Sequence, residues 1–221
     1  LLNISYQIAC LAMAGDVRNA KKRYDRMLHL AVQDRPMDIW HVTQSRIVIE
    51  SCEGNYDAAV NNSRKATELA VAAGMPYIEI IGVEHESAGL AMLGETGILE
   101  QTLSRLRRMI SGTCFSYFES EARFLEAYVA LLYGDAERGR SLVRDAVAFA
   151  RTRRFQYPQM ARYTAVTGTV FAEALRMGVE RDYVIDVIRR LQIRPPPDAP
   201  EKWPWPVRIR ALGCFEIEVD G

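Results

Sequence analysis

The chain has 221 residues, of which 49% are hydrophobic and 25% are charged. Its 28 basic residues balance its 28 acidic residues, so the chain lacks the basic excess that is typical of nucleic-acid-binding proteins. It also lacks an uninterrupted apolar run of about 18 residues, the length that a membrane-spanning helix needs. We therefore expect a globular protein without a membrane partner.

The cysteines and the ends of the chain add two expectations. Four widely spaced cysteines without a C-x-x-C pair are typical of buried thiols in a reducing compartment, which predicts a cytoplasmic protein; they are Cys10, Cys52, Cys114 and Cys214. The chain begins at Leu1 without a basic leader, so no secretion signal is predicted. Because it starts without Met and stops in the middle of a strand pattern, we expect a fragment of a longer protein.

A glycine followed by a polar residue recurs along the chain. The glycines are spaced 39, 40, 40 and 44 residues apart, at Gly15, Gly54, Gly94, Gly134 and Gly178. A period of this size is typical of stacked-repeat proteins. Glycine can end a helix in the left-handed conformation. The residues expected to cap the next helix through their side chains are Asp16, Asn55, Thr96 and Asp135.

Each glycine is followed by one face of a predicted helix. Five, nine and twelve residues after it come Ala20/Tyr24/Met27, Ala59/Ser63/Ala66, Leu99/Leu103/Leu106, Gly139/Val143/Ala146 and Tyr183/Val187/Arg190. All of these are apolar, aromatic or glycine except Ser63 and Arg190. Prolines between the units suit a first helical turn, at Pro36, Pro76 and Pro158. Each unit is predicted to be helix A, a glycine turn, helix B and a short link.

The predicted helices follow in chain order. The first unit has helices around Ile4 to Leu11 and Ala20 to Ala31, and the second around Ile39 to Val48 and Ala59 to Ala73. The third has Tyr77 to Leu93 and Leu99 to Ile110. The fourth has Phe115 to Tyr133 and Ala136 to Ala150. The fifth has Pro158 to Met177 and Tyr183 to Leu191, and its irregular spacing is typical of a terminal repeat.

The second turn, residues 54–59, carries a family resemblance. Gly54-Asn55-Tyr56-Asp57-Ala58-Ala59 resembles the turn of the tetratricopeptide repeat (TPR), which reads glycine, Asp or Asn, an aromatic residue, two variable residues and alanine. The period here is longer than the family's thirty-four residues, so we expect longer helices. The resemblance covers residues 1–192 and implies an all-α, right-handed TPR-like superhelix of about five helix hairpins.

The amino-acid composition and the hydrophobic pattern of the chain change after residue 192. Residues 193–206 are rich in Pro and Trp, cannot be helical, and are predicted to form an extended, semi-rigid linker. Two runs then alternate apolar and polar residues, Val207 to Leu212 and Phe215 to Val219, which predicts a pair of half-buried strands. Residues 207–221 are therefore expected to be a short β-strand stub of a further domain.

The tail carries a second resemblance. Trp203-Pro204-Trp205-Pro206-Val207-Arg208-Ile209, Leu212-Gly213, Phe215-Glu216-Ile217 and Asp220-Gly221 resemble the entry to the C-terminal winged-helix domain of large ATP-dependent, LuxR-family (MalT-like) bacterial transcriptional regulators. The resemblance implies that residues 207–221 open a truncated DNA-binding domain. ATP binding and DNA binding would then belong to other domains of the parent protein, since this chain contains no Gly-Lys dipeptide and so no phosphate-binding loop.

The chain contains no recognisable catalytic motif, so we expect a non-enzymatic chain with no cofactor in this fragment. The segment His85-Glu86-Ser87-Ala88-Gly89 lacks the second histidine of a zinc-protease helix. The histidines His29, His41 and His85 have no ligand spacing and are expected on the surface or in a groove. The carboxylate pairs Glu84/Glu86 and Glu119/Glu121 lie two residues apart, on different helix faces, and are expected to be solvated.

Three arginine clusters near the ends of B helices have two interpretations. They are Arg105/Arg107/Arg108, Arg151/Arg153/Arg154 and Arg189/Arg190/Arg194. Cations at the end of a helix complement its dipole, and this is the favoured interpretation. A phosphate-binding patch is the alternative.

The candidate site follows from the resemblance to TPR stacks, in which A helices line a concave groove. Counting back from the turn glycines, the inward-facing candidates are Ser5, His41, Gln44, Glu84, Glu121, Phe124 and Tyr128. Near the start of the last A helix, Arg162 and Tyr163 are expected to reach the same groove. This mixture of groups suits a polar metabolite or a partner peptide. Packing is the alternative for the pair Phe124 and Tyr128.

These observations lead to one hypothesis and one alternative. The hypothesis is the non-catalytic effector-sensing and interaction domain of a transcriptional regulator, whose concave groove binds a small-molecule inducer or a protein segment. Its other partners would be the remaining domains of the parent regulator, with DNA bound only through the C-terminal domain; self-association stays open. The alternative is a TPR-type docking scaffold with no metabolite ligand. The absence of catalytic motifs opposes a helical-repeat enzyme.

Overall fold

The protein is represented by a computed structural model that describes residues 1–155, 163–211 and 215–219. Within these ranges ten α-helices precede one small β-hairpin, so the fold is all-α, as predicted. The helices are α1 (Leu2–Met13), α2 (Val17–Leu30), α3 (Pro36–Cys52), α4 (Tyr56–Ala72), α5 (Pro76–Leu93), α6 (Thr96–Ile110), α7 (Ser116–Tyr133), α8 (Ala136–Thr152), α9 (Thr164–Met177) and α10 (Arg181–Leu191). The strands are β1 (Val207–Arg210) and β2 (Glu216–Val219).

The helices pair into five antiparallel hairpins that stack in chain order. Each odd-numbered helix packs on the following even-numbered one, and α2, α4, α6 and α8 pack on the first helix of the next hairpin. This is the predicted arrangement of A and B helices. In the described part of the chain, no helix combines the length and the apolar character needed to cross a membrane.

Glycine turns join the two helices of most hairpins, as predicted. Gly15, Gly54, Gly94 and Gly178 have φ of 85°, 77°, 74° and 69°, the left-handed region that glycine enters without a steric cost. Gly134 differs, because its φ of −125° and ψ of −147° are extended. The fourth turn therefore reverses the chain without a left-handed residue.

The predicted helix caps are half right. The carboxylate of Asp16 accepts the backbone N–H of Asn19 at 3.2 Å, and that of Asp135 accepts the N–H of Glu137 at 2.9 Å. Asn55 precedes α4 but its side chain makes no cap hydrogen bond. Thr96 already lies inside α6, whose N-cap is Glu95, so the prediction for Thr96 is wrong.

The predicted B-helix stripe forms the hairpin interfaces. Of its fifteen positions, all are buried except Tyr24 and Tyr183, which are half-buried, and Arg190, which is exposed. Small residues let helices approach closely, as at Gly139, where a Cβ would lie 3.0 Å from the backbone nitrogen of Leu131. The same holds between α4 and α5, where a Cβ on Gly89 would lie 2.6 Å from a methyl group of Val60.

The helix starts agree with the proline prediction where it can be compared. Pro36 and Pro76 stand in the first turns of α3 and α5, where a missing N–H leaves no intrahelical bond unmade. Pro158 lies outside the described residues. The last A helix is α9, which begins at Thr164.

The segment between α10 and β1 is packed on the helices, which corrects the prediction of an extended linker. Trp203 is 1% exposed and belongs to the large apolar core that runs from α4 to α10. Gly168 of α9 meets the carbonyl oxygen of Arg194 so closely that a Cβ would lie 2.9 Å away. Arg176, also on α9, binds the carboxylate of Asp198 at 2.7 Å. Apolar burial of the tryptophan overrides the tendency of prolines to extend the chain.

The two strands form an antiparallel pair with Val207 opposite Val219 and Ile209 opposite Ile217. This pairing confirms the two strands that the alternating pattern predicted. The prediction that the strands are half-buried is wrong, because these four side chains are 47–68% exposed. The prediction of buried thiols is also wrong for Cys10 and Cys114, which are exposed.

Candidate functional site

The A helices present one recurring position, ten residues before each turn glycine. Its occupants are Ser5, Gln44, Glu84, Phe124 and Gly168. Three of these positions contact the next A helix or the segment that follows the last one. Gln44 of α3 binds His85 of α5, Phe124 of α7 packs on Phe171 of α9, and Gly168 meets Arg194. We call the surface formed by this position the inner face.

Polar side chains on α3 and α5 gather at one part of the inner face. We call His41, Gln44, Ser45, Glu84 and His85 the inner polar cluster. The side-chain amide of Gln44 donates to Nε2 of His85, so a neutral His85 carries its proton on Nδ1. A carboxylate oxygen of Glu84 lies 3.8 Å from that nitrogen. Glu84 and His85 are both fully buried, which places a potentially charged pair inside the protein.

Several polar atoms of this cluster and of the adjacent Trp40 make no hydrogen bond within the part of the chain that the structure describes. Among the described residues, no hydrogen-bond partner exists for four buried atoms: Trp40 Nε1, His41 Nδ1, Gln44 Oε1 and Ser45 Oγ. All four belong to one stretch of α3, on one or two adjacent helical turns. Buried polar atoms normally find a partner in the protein or in a bound molecule, since leaving them without one costs free energy.

Burial of His41 favours its neutral form. Only 9% of the residue is exposed, and this burial lowers the pKa of His41, with the nearby Asp38 acting in the opposite direction. Its ring lies edge-on to Trp40, with centroids 5.2 Å apart. A neutral imidazole can offer either a donor or an acceptor at Nδ1, depending on its tautomer.

The three predicted site residues of α7 lie in the interior. Glu121 is 1% exposed, Phe124 2% and Tyr128 6%. Phe124 packs edge-to-face on Phe171 with centroids 5.6 Å apart, which agrees with the packing alternative. Burial also raises the pKa of Tyr128, so its phenol stays protonated at neutral pH.

Tyr163, another predicted site residue, immediately precedes α9. The hydroxyl of Tyr163 donates to Oγ of Ser51 at 3.1 Å, while Ser51 donates to the carbonyl of Ile47. This contact joins the second and fifth hairpins across 112 residues of sequence. Arg162 lies outside the described residues. The structure thus brings together Gln44 and Glu84, and it places Tyr163 at a separate contact.

Sequence reasoning underestimated the burial of this face. The carboxylates of Glu84, Glu86 and Glu121 are buried rather than solvated, and His85 is not a surface residue. His85 and Ser45 stand one position after the inward-facing Glu84 and Gln44. A helix face is about 100° wide, so it includes such neighbouring positions. Taking this width into account would have added His85 and Ser45 to the predicted site residues.

Basic residues on B helices pair with carboxylates of the next A helix. Arg64 binds Glu86 at 2.7 Å and Arg107 binds Glu126 at 2.6 Å. Five members of the arginine clusters stand in the last turns of α6, α8 and α10, where a positive charge interacts favourably with the helix dipole; they are Arg107, Arg108, Arg151, Arg189 and Arg190.

One cavity lies where the first and last hairpins meet. Its volume is about 430 Å³, within the range of small-molecule sites. We call it the closure cavity. Its lining comes from the end of α1 and its turn (Cys10 and residues 12–15), from Cys52 of α3, from Thr164 of α9, and from residues 190–194 after and within α10.

No family model, curated protein or solved structure matches this chain. Within the ranges that the structure describes, no group of three His, Cys, Asp or Glu side chains is placed to hold a metal ion.

Proposed function

We propose that this chain is the effector-sensing, non-catalytic helical-repeat domain of a transcriptional regulator, and that its inner face binds a small polar ligand. The observation that carries the proposal is the row of buried polar atoms on α3 without partners: Trp40 Nε1, His41 Nδ1, Gln44 Oε1 and Ser45 Oγ. A ligand with hydroxyl, amide or similar groups would satisfy them and recover the free energy of their desolvation.

The character of the ligand follows from the groups that would contact it. His41 is neutral near pH 7, because burial lowers its pKa, and Trp40, Gln44 and Ser45 carry no charge. Neutral donors and acceptors favour an uncharged polar molecule over a strong anion. Such a ligand would be sensed only if it binds two states of the protein with different affinities.

The parent protein is proposed to be a LuxR-family, MalT-like regulator with an ATPase domain and a winged-helix DNA-binding domain. The TPR-like turns and the Trp-Pro run before β1 support this assignment. The segment that contains Arg194, Asp198 and Trp203 packs on α9 and leads directly into β1. A conformational change at the inner face would therefore be transmitted to the β-hairpin through a packed segment rather than through a flexible linker.

The alternative function, a docking scaffold for a protein segment, has one specific observation in its favour. Around Gly168, the inner face already holds a proline-containing stretch of the chain itself, with Pro196 beside the glycine and Asp198 bound to Arg176. An extended peptide from another protein could bind a neighbouring part of the same face in a similar way.

Thermal unfolding against a panel of sugars, amino acids and other neutral metabolites tests the proposal. A ligand present at one hundred times its Kd stabilises the native state by about 2.7 kcal/mol. Ser45→Ala should weaken binding by roughly two- to twelvefold, because it removes one ligand hydrogen bond of about 0.5–1.5 kcal/mol. Ser63→Ala is the matched control, since Ser63 is equally buried but bonded within its own helix.

Two results would overturn the ligand proposal. The first is a panel without any shift of the unfolding temperature, which would favour the docking scaffold and direct the search to peptides and to the parent's other domains. The second is a ligand whose affinity is unchanged by Ser45→Ala and by Trp40→Phe, which would place binding elsewhere in the molecule.

A further inference from the structure

The closure cavity is a second candidate site. None of its lining residues belongs to the inner polar cluster. It is bordered by the first, second and fifth hairpins, so a molecule inside it would touch both ends of the stack. Its walls combine apolar groups, such as Met13, Leu191 and Ile193, with polar ones. That mixture is typical of sites for small organic molecules.

Arginines supply the charge of the cavity. Arg190 and Arg194 line it, and within the described residues no Asp or Glu does. Arg190 also binds Asp186, through one Nη at 3.1 Å, but a guanidinium has five N–H donors and can serve a second anion. The planar fork of arginine matches the oxygens of carboxylate and phosphate groups.

The backbone around these arginines is held in place. Arg190 belongs to the last turn of α10. The carbonyl oxygen of Arg194 packs against Gly168 of α9, where a Cβ would lie 2.9 Å away. The two cations therefore project from fixed points of the fold. The remaining polar lining, Thr164 and Gln192, can donate further hydrogen bonds.

We propose that the closure cavity binds a small organic anion, with its carboxylate or phosphate group at Arg190 and Arg194. The apolar walls would receive the rest of the molecule. Because the cavity is lined by α1, α3, α9 and α10, the bound anion stabilises the arrangement in which the two ends of the stack meet. The proposal adds an anion site to the neutral-ligand site of the inner face, and the two can fail separately.

Cysteine reactivity offers a direct test, because Cys10 and Cys52 line the cavity whereas Cys114 lies far along the chain. The full chain is alkylated with iodoacetamide, and each thiol is followed by peptide mass spectrometry. The probes are inorganic phosphate and citrate, each compared with chloride at equal ionic strength. We expect at least one probe to slow the modification of Cys10 several-fold and to leave Cys114 unchanged. The pair of probes tells a phosphate site from a carboxylate site.

Arginine variants make the test specific. Arg194→Gln should abolish the protection of Cys10, and so should Arg190→Gln. Arg153→Gln is the control, because Arg153 is an exposed arginine that does not line the cavity. Ser45→Ala should leave the protection intact, which separates this site from the inner face. Three results would overturn the proposal. They are the absence of protection of Cys10 by either probe, protection of Cys114 that is as strong as that of Cys10, and protection of Cys10 that persists in both Arg190→Gln and Arg194→Gln.

Discussion

Buried carboxylates in this chain are held by partners from neighbouring helices. Glu50, which is 7% exposed, accepts hydrogen bonds from Arg46 of its own helix and from Asn62 of α4, both at 2.8 Å. Glu86, 8% exposed, is bound by Arg64 at 2.7 Å. Removing one partner of such a pair leaves a buried charge without compensation, which is costly. The polar interior therefore contributes to the specificity of the stack as well as to any ligand site.

Acid should destabilise the protein partly through His41. Burial lowers its folded-state pKa below the ordinary 6.5, so the unfolded chain binds the proton first. This contribution to stability is fully present above about pH 6.5 and is lost as the pH falls through the folded pKa, with a slope of at most about 1.36 kcal/mol per pH unit. In urea unfolding between pH 7.5 and 5, His41→Gln should show a shallower decrease. A slope equal to that of the wild type would contradict this assignment.

Two glycines should respond to alanine with opposite signs. At Gly82 of α5 a Cβ would lie 3.2 Å from the backbone nitrogen of Thr67 and closer still to its hydroxyl, so Gly82→Ala should destabilise the protein by about 1–3 kcal/mol. At Gly97 of α6 a Cβ would meet no atom within 4 Å. Gly97→Ala should therefore stabilise the protein by about 0.5–1 kcal/mol, because it lowers the entropy of the unfolded chain. Equal effects in urea unfolding would refute the close approach of α4 and α5.

At the scale of elements, α9 does more than complete the last hairpin. It holds the segment that leads to β1 through Gly168 and through Arg176, whose guanidinium binds Asp198. Trp203 completes this contact by entering the core. The prolines correctly predicted that these residues are not helical. They could not show that Trp203, six residues after Pro197, would pack into the core of the helices.

Gly168→Ala should loosen this segment. The new methyl group would lie 2.9 Å from the carbonyl oxygen of Arg194, so residues 194–203 would have to shift, at a cost of about 1–3 kcal/mol. Trypsin cleavage after the exposed Lys202 reports the opening, since cleavage follows the population of the open form, about tenfold for each 1.4 kcal/mol. Gly97→Ala serves as the control. Unchanged cleavage at Lys202 would show that the packing does not depend on Gly168.

At the scale of the whole molecule, the stack curves enough for distant hairpins to touch. The hydroxyls of Ser51 and Tyr163 meet at 3.1 Å, and the closure cavity is lined by residues from both ends of the stack. In a repeat protein each unit normally contacts its neighbours alone. Contacts between the second and fifth hairpins therefore add cooperativity that a simple linear stack lacks.

A double-mutant cycle measures this long-range contact. Ser51→Ala, Tyr163→Phe and the double variant should show a coupling free energy of about 0.5–1.5 kcal/mol in urea unfolding, the usual net value of a hydrogen bond. Ser51→Ala alone also loses a bond to Ile47 of its own helix, and the cycle removes that contribution. Strictly additive effects would mean that the two hydroxyls do not interact in solution.

The sequence by itself determined the local architecture of this protein. The glycine period, the B-helix stripe and the alternating tail predicted five helix hairpins and one strand pair, because turns, caps and helix faces depend on residues within a few positions of one another. Of the residues predicted to line a groove, Gln44 and Glu84 both lie beside His85, whereas Phe124 and Tyr128 lie in the core. Only the tertiary structure decided that Glu84 and Phe124 of the inner face are buried, that Trp203 packs into the core of the helices, and that Ser51 reaches Tyr163. These outcomes depend on the curvature of the stack, which accumulates from small rotations over all five hairpins. No single stretch of the sequence determines that curvature.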